Sequence, residues 1–193
     1  MLTDLARRYR WADEDLDLAL AVAVVQGRGV GEVIRSYGGD PERPVGEFAF
    51  TTLADLQGDL DQPRHHVQAI VHKGAVVMLE WNGWTGLVPE IARRCSVGGR
   101  FFAVHWSLSG NPRVNHAVDG RVAANFEMFA DAPAPPWRAA AVDVGALRST
   151  ALALMEQQTG VAFERGWLGD PRATYRVPDP DDLLRGVPGA WNP

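Results

Sequence analysis

One cysteine, one lysine and the lack of any long apolar run set the first limits on this chain of 193 residues. Cys95 cannot close an internal disulfide, which fits a reducing compartment and leads us to expect a cytoplasmic protein. Lys73 is the lone lysine among 19 cationic residues, and the arginines are scattered, as GC-rich coding would leave them. Against them stand 24 acids, a net charge of −5, so there is no basic footprint for nucleic acid. The longest apolar run, Leu18 to Val25, is too short to cross a bilayer and follows three acids. Neither a signal peptide nor a membrane span is expected.

Signatures of chemistry are equally scarce. A hydrolytic nucleophile would need a Gly-x-Ser-x-Gly element, and Ser107, Ser109 and Ser149 instead read as strand, turn and helix residues. Gly38-Gly39 has no preceding strand and no following Gly-Lys-Ser, so it is no phosphate loop. His65-His66 lacks Cys or carboxylate companions at ligand spacing, and its adjacent side chains diverge. Asp13-Glu14-Asp15 has no further ligands nearby. No metal and no cofactor is expected. Glu80 and Glu127 project from strands that nothing brings together as a glycosidase pair. Cys95, late in a short helix between Arg94 and Ser96, reads as a packed thiol.

What is present is a globular composition, 46% hydrophobic and 22% charged, with chain enough for a sizeable core. The best-patterned stretch is Val67 to Met128. Phe102, Val104, Trp106 and Leu108 alternate with Phe101, Ala103, His105 and Ser107, the period of a strand with one apolar face. Keeping that face continuous sets Trp106 opposite His116 and Val104 opposite Val118 across a turn at Ser109–Pro112. A three-residue loop at 118–120, with Gly120 left-handed, then places His116 beside Val122. Upstream, a loop at His72-Lys73-Gly74 pairs Val71 with Ala75 and Val67 with Leu79. The result is a five-stranded antiparallel meander, interrupted by a short helix after Trp84.

Around this sheet, Asp13-Glu14-Asp15 reads as the start of a buried helix running through Leu16 to Val25 and ended by Gly27. A second helix spans Val30 to Tyr37, and Thr52 caps a helical turn. A proline-rich linker at 130–136 precedes a helix from Val144 to Gln158, with Leu147, Ala151, Leu154 and Met155 on one stripe. From Gly169 on lie five of the thirteen prolines, which suggests an extended tail with a helical turn at Asp181 to Arg185. The expected architecture is α+β: a single domain over 1–168, helices packed on one face of the sheet, and a tail over 169–193.

The order of features carries a resemblance. Tyr9-Arg10-Trp11, Tyr37-Gly38, Glu80-Trp81-Asn82-Gly83-Trp84 with Gly86 and Pro89-Glu90 follow one another. Val104-His105-Trp106-Ser107, Asp119-Gly120-Arg121, Thr159-Gly160-Val161 and Trp167 complete the set. Over about Tyr9 to Leu168 the chain resembles an uncharacterised family of small proteins from high-GC Gram-positive bacteria, with Asn82-Gly83-Trp84 the most specific piece. The resemblance implies the fold order and a cytoplasmic bacterial setting. It carries over no functional residue.

Eight residues are candidates for binding. Trp81, Asn82 and Trp84 sit at a turn closing a strand, with Asn82 or Gly83 expected at positive φ. Trp106 and His116 share the apolar face, where burial would depress the histidine pKa. Asp13, Glu14 and Asp15 could steer a basic partner. These features point to a non-catalytic protein-binding module, such as a regulatory partner or a toxin-neutralising immunity protein. The other readings are a small-ligand pocket between sheet and helices, or an enzyme using His116.

Overall fold

Leu20–Gln26, the apolar run expected to be helical, is a strand at the interior of the sheet. The computed structural model describes residues 2–56, 65–108, 112–128 and 145–193. Its helices are α1 (Leu2–Arg8), α2 (Trp11–Glu14), α3 (Val30–Ser36), α4 (Pro89–Ser96), α5 (Leu147–Thr159) and α6 (Pro180–Leu183). Its strands are β1 (Leu20–Gln26), β2 (Gly46–Phe48), β3 (His65–His72), β4 (Ala75–Trp81), β5 (Arg100–Trp106), β6 (Arg113–Val118), β7 (Arg121–Glu127) and β8 (Arg172–Val177). Phe50–Leu56 is a 3-10 helix, and Thr52, expected to cap a helical turn, lies inside it with its hydroxyl donating to the Ala49 carbonyl at 2.8 Å. The linker expected at 130–136 lies outside the described residues.

Among the described residues the sheet has eight strands, not five, in the order β2-β8-β3-β4-β1-β5-β6-β7. Every pairing is antiparallel. The meander is therefore split: β4 and β5 each pair with β1 rather than with one another. A continuous apolar run is compatible with a helix or with a strand buried on both faces, and Val22, Val24 and Val25 favour the strand. Each of these valines is almost fully buried, which contributes roughly 1.5–3 kcal/mol per side chain.

Two cores follow, because helices cover both faces and not one. Leu20, Val22 and Val24 point into a core shared with Phe102, Val104, Trp106, Phe50, Leu53 and the α5 residues Ala151 to Met155. Ala23 and Val25 point the other way, onto Val33, Ile34 and Tyr37 of the α3 region and Ile91, Ala92 and Cys95 of α4. The expected tail also joins the fold. Its strand β8 lies between β2 and β3, and α6 follows it.

The registers differ from expectation in instructive ways. Across β5 and β6, His116 faces Phe102 and Val104 faces Val114, so Trp106 and His116 are not cross-strand neighbours. The shift is an even number of residues, so both side chains keep their common face. Lys73-Gly74 and Asp119-Gly120 form two-residue connections, pairing His72 with Ala75 and Val118 with Arg121. Both residues of each have positive φ, 49° and 77° in the first and 47° and 72° in the second, the signature of a type I′ hairpin. Ala117 then faces Val122, and an irregularity between His116 and Ala117 sets His116 opposite Ala124; Ala124, Phe126 and Met128 join the core of Trp106, while Val122 lies across from Ala117 of the other core.

Candidate functional site

The connection from β4 to α4 is built on one buried carboxylate. Glu80 is 2% exposed; its Oε2 accepts from the Thr85 amide and its Oε1 from the Gly86 amide, each at 2.8 Å. Asn115 donates through Nδ2 to the carbonyls of Gly86 (3.1 Å) and Val88 (3.3 Å), and Asn125 donates to that of Leu87 at 3.3 Å. Asn82 sits at φ 50°, the positive value expected at this turn, and its amide donates to the Ala19 carbonyl at 3.1 Å. Burial raises the Glu80 pKa, with the Gly86 and Thr85 hydrogen bonds opposing it. Burial also raises that of the Tyr37 hydroxyl, with the Glu80 charge adding to it.

Gly83 is required here for space rather than for positive φ. A Cβ on Gly83 would lie 2.7 Å from Glu80 Oε2 and 2.9 Å from Glu80 Cβ. Gly83→Val should lower the unfolding free energy by about 1–3 kcal/mol through overpacking. An unchanged urea midpoint would show that the loop accommodates the side chain.

By fixing this loop, Glu80 fixes the start of α4, where Pro89 occupies the first turn. Helix α4 then packs beside α3, and the two helices border an open cleft of about 420 Å³. Arg28, Glu32, Arg35, Ser36, Arg94 and Val97 line it. Glu32 does two jobs: one oxygen accepts from the Gly29 amide at 2.9 Å, and the other pairs with Arg28 at 3.1 Å. Glu90 holds Arg94 at 2.9 Å and Arg93 at 3.2 Å. Among the described residues Arg35 has no acidic partner, and Arg28 Nε is buried without an acceptor. Beneath, Cys95 is buried in the α4 core and its thiol pKa is pushed up to about 12 by burial, with Ser36, Arg28 and Arg94 acting the other way. That thiol is protonated at neutral pH and unreactive. The cleft therefore offers cationic hydrogen-bond donors beside the Val97 side chain, suited to holding an anionic group.

The residues singled out from the sequence do not converge there. Trp106 is fully buried and donates through Nε1 to the Leu18 carbonyl at 3.0 Å. His116 is half-buried with its ring 5.5 Å from that of Phe102, and burial, then the Arg100 charge, lowers its pKa. Trp81 packs at the edge of one core, and Trp84 stacks at 5.6 Å on Trp191. Glu80 and Glu127 lie on strands separated by β1, β5 and β6. His65 and His66, consecutive on β3, point to opposite faces; His65 Nε2 lies 3.1 Å from Asp179. No group of three or more metal-ligating side chains clusters among the described residues.

The acidic triplet is engaged within the molecule. Asp13 accepts from the amides of Arg148 (2.8 Å) and Ser149 (3.2 Å), capping α5 from the far end of the chain. Glu14 pairs with Arg10 at 2.6 Å and Asp15 with Arg165 at 3.0 Å. Asp13→Ala should cost about 1 kcal/mol of stability, the worth of an N-cap, read as a lower thermal midpoint. A midpoint equal to that of the unaltered protein would show that the cap is dispensable.

Arg28, Arg35 and Arg94 went unnoticed in the sequence because each looks like an ordinary surface arginine. The available signal was position: Arg35 and Arg94 lie in the last turns of their helices. No family model, no curated protein and no solved structure matches the chain. No helix among the described residues is long and apolar enough to cross a membrane.

Proposed function

We propose that this protein is a non-catalytic protein-binding module of a bacterial cytoplasm, engaging an acidic partner through the cleft between α3 and α4. One observation carries the reading. On a chain of net charge −5, three arginines line one open cleft, and among the described residues Arg35 lacks an acid. A regulatory partner or a toxin-neutralising immunity protein would work in this way. The sign of the partner is opposite to that suggested by the acids at 13–15, since those acids already serve α5, Arg10 and Arg165.

Binding of a fluorescein-labelled oligoglutamate peptide, with oligoglutamine as control, tests the proposal. Oligoglutamate should bind and oligoglutamine should not. Arg35→Glu should weaken binding by roughly tenfold or more, because a charge-assisted hydrogen bond contributes about 1.5–3 kcal/mol. Raising the salt from 0.1 M to 1 M should weaken it too, as the Debye length falls from about 10 Å to about 3 Å. Equal binding of both peptides, or no effect of Arg35→Glu, would overturn the reading.

A further inference from the structure

We infer that residues 187–192, which follow α6, are a peptide ligand held by their own chain. They can leave their seat on α4, and the same segment of a second copy of this chain takes their place.

The seat holds backbone and selects side chains, the division of labour in peptide recognition. In the first turn of α4 the Glu90 amide donates to the Ala190 carbonyl at 3.1 Å. The Arg93 guanidinium donates to the carbonyls of Gly189 (3.4 Å) and Asn192, and is itself steadied by Glu90 at 3.2 Å. Two side chains add to these bonds. Ala190 is fully buried in the core that holds Ile91, Ala92 and Cys95, which leaves room for a small residue only. Trp191 stacks on Trp84, with ring centroids 5.6 Å apart, yet stays 44% exposed.

Little else holds the segment down. Arg185, Gly186, Pro188, Gly189 and Asn192 are exposed. Its shape is its own: the Ala190 amide donates to the Val187 carbonyl at 3.3 Å and the Asn192 amide to the Gly189 carbonyl at 3.1 Å. Leu184, 2% exposed, is the last core side chain before it. The bend between them falls at Gly186, whose φ of 79° glycine adopts without strain and around whose Cβ position the space is open. A change of φ there swings the segment out as a unit and loses only the contacts just described, a local opening that leaves the sheet paired.

A second copy offers an identical seat, so reciprocal exchange regains every one of those contacts and closes a two-fold dimer. Within its own chain the segment competes at an effective concentration on the order of millimolar. The unaltered chain is therefore a monomer at micromolar concentration. Exchange sets in as the concentration approaches that effective value, or when the bend at Gly186 is strained.

Sedimentation velocity of full-length variants reads the exchange. Gly186→Val strains the closed bend and should dimerise at concentrations at least about tenfold below those the unaltered chain needs. Adding Trp191→Ala, which removes a ring outside both cores, should reverse that gain. A fluorescein-labelled peptide of residues 187–193 should bind full-length Ala190→Glu, whose own segment no longer seats. It should bind the unaltered chain at least about tenfold more weakly, because there the resident segment competes. Should Ala190→Glu fail to fold, hydrogen exchange of the unaltered chain decides: the Glu90 amide should exchange by local opening, faster than the amides of β1. Exchange of that amide only with global unfolding, or no binding of the peptide to folded Ala190→Glu, would overturn the releasable seat. Gly186→Val remaining monomeric at millimolar concentration, or dimers unaffected by Trp191→Ala, would overturn the second copy as occupant.

Discussion

Glu80→Ala is expected to lower the unfolding free energy by about 3 kcal/mol or more, since each of the two buried amides it satisfies costs about 1–3 kcal/mol when left without an acceptor. Both amides, those of Thr85 and Gly86, are buried and bond to this carboxylate. Glu80→Gln keeps one acceptor and sets an amide N–H against the other donor, so about half the loss is expected. Because burial raises the carboxyl pKa above its usual value of 4.5, the folded state holds its proton more firmly than the unfolded chain does. The stability that Glu80 contributes is therefore fully present below that usual value and declines as the pH rises through the raised one. Urea unfolding of the unaltered protein and of Glu80→Gln across this range should show their difference shrinking with rising pH. A constant difference would mean that the folded state does not perturb the carboxyl.

Gly99→Ala is the second large effect, with an expected cost of about 3 kcal/mol, at the upper end for overpacking. Its Cβ would lie 2.0 Å from the Gln26 carbonyl oxygen and 3.2 Å from Gly27 Cα. Both are backbone atoms, so no side chain can swing away. This contact holds the end of β1 against the start of β5, and with it Arg28 and Val97 at the cleft. Weaker binding of oligoglutamate should accompany the loss of stability. Gly98→Ala is the internal control: nothing lies within 4 Å of its Cβ and its φ is 69°, so only the left-handed strain of about 1–2 kcal/mol is expected. Equal costs at the two positions would show that the close approach is relieved by backbone movement.

Local chemistry made much of the secondary structure legible. Val30–Ser36, Pro89–Ser96 and Leu147–Thr159 are helical close to where periodicity and caps placed them. The alternation from Phe101 onward is a strand, and the antiparallel α+β class holds. The hairpin registers failed for an identifiable reason. Continuity of a single apolar face decided the expected loops, and that criterion discriminates only when the other face is wet. In β3 and β4 both faces carry buried residues, so turn chemistry at Lys73-Gly74 was the better guide.

Residue order alone thus determined where chain segments turn, which stretches are helical, and that no recognisable catalytic motif is present. It could not decide the state of Leu20–Gln26, because a short apolar run satisfies a buried helix and a central strand equally well. Only the paired edges of β4 and β5 on either side of it made the strand. Nor could it show that Asp13 caps a helix whose first residue is Leu147, or that Arg28, Arg35 and Arg94 meet at one cleft. Those groups are distant in sequence and individually ordinary. Their proximity is set by the packing of α3, α4 and α5 on the two faces of the sheet, which no local pattern encodes.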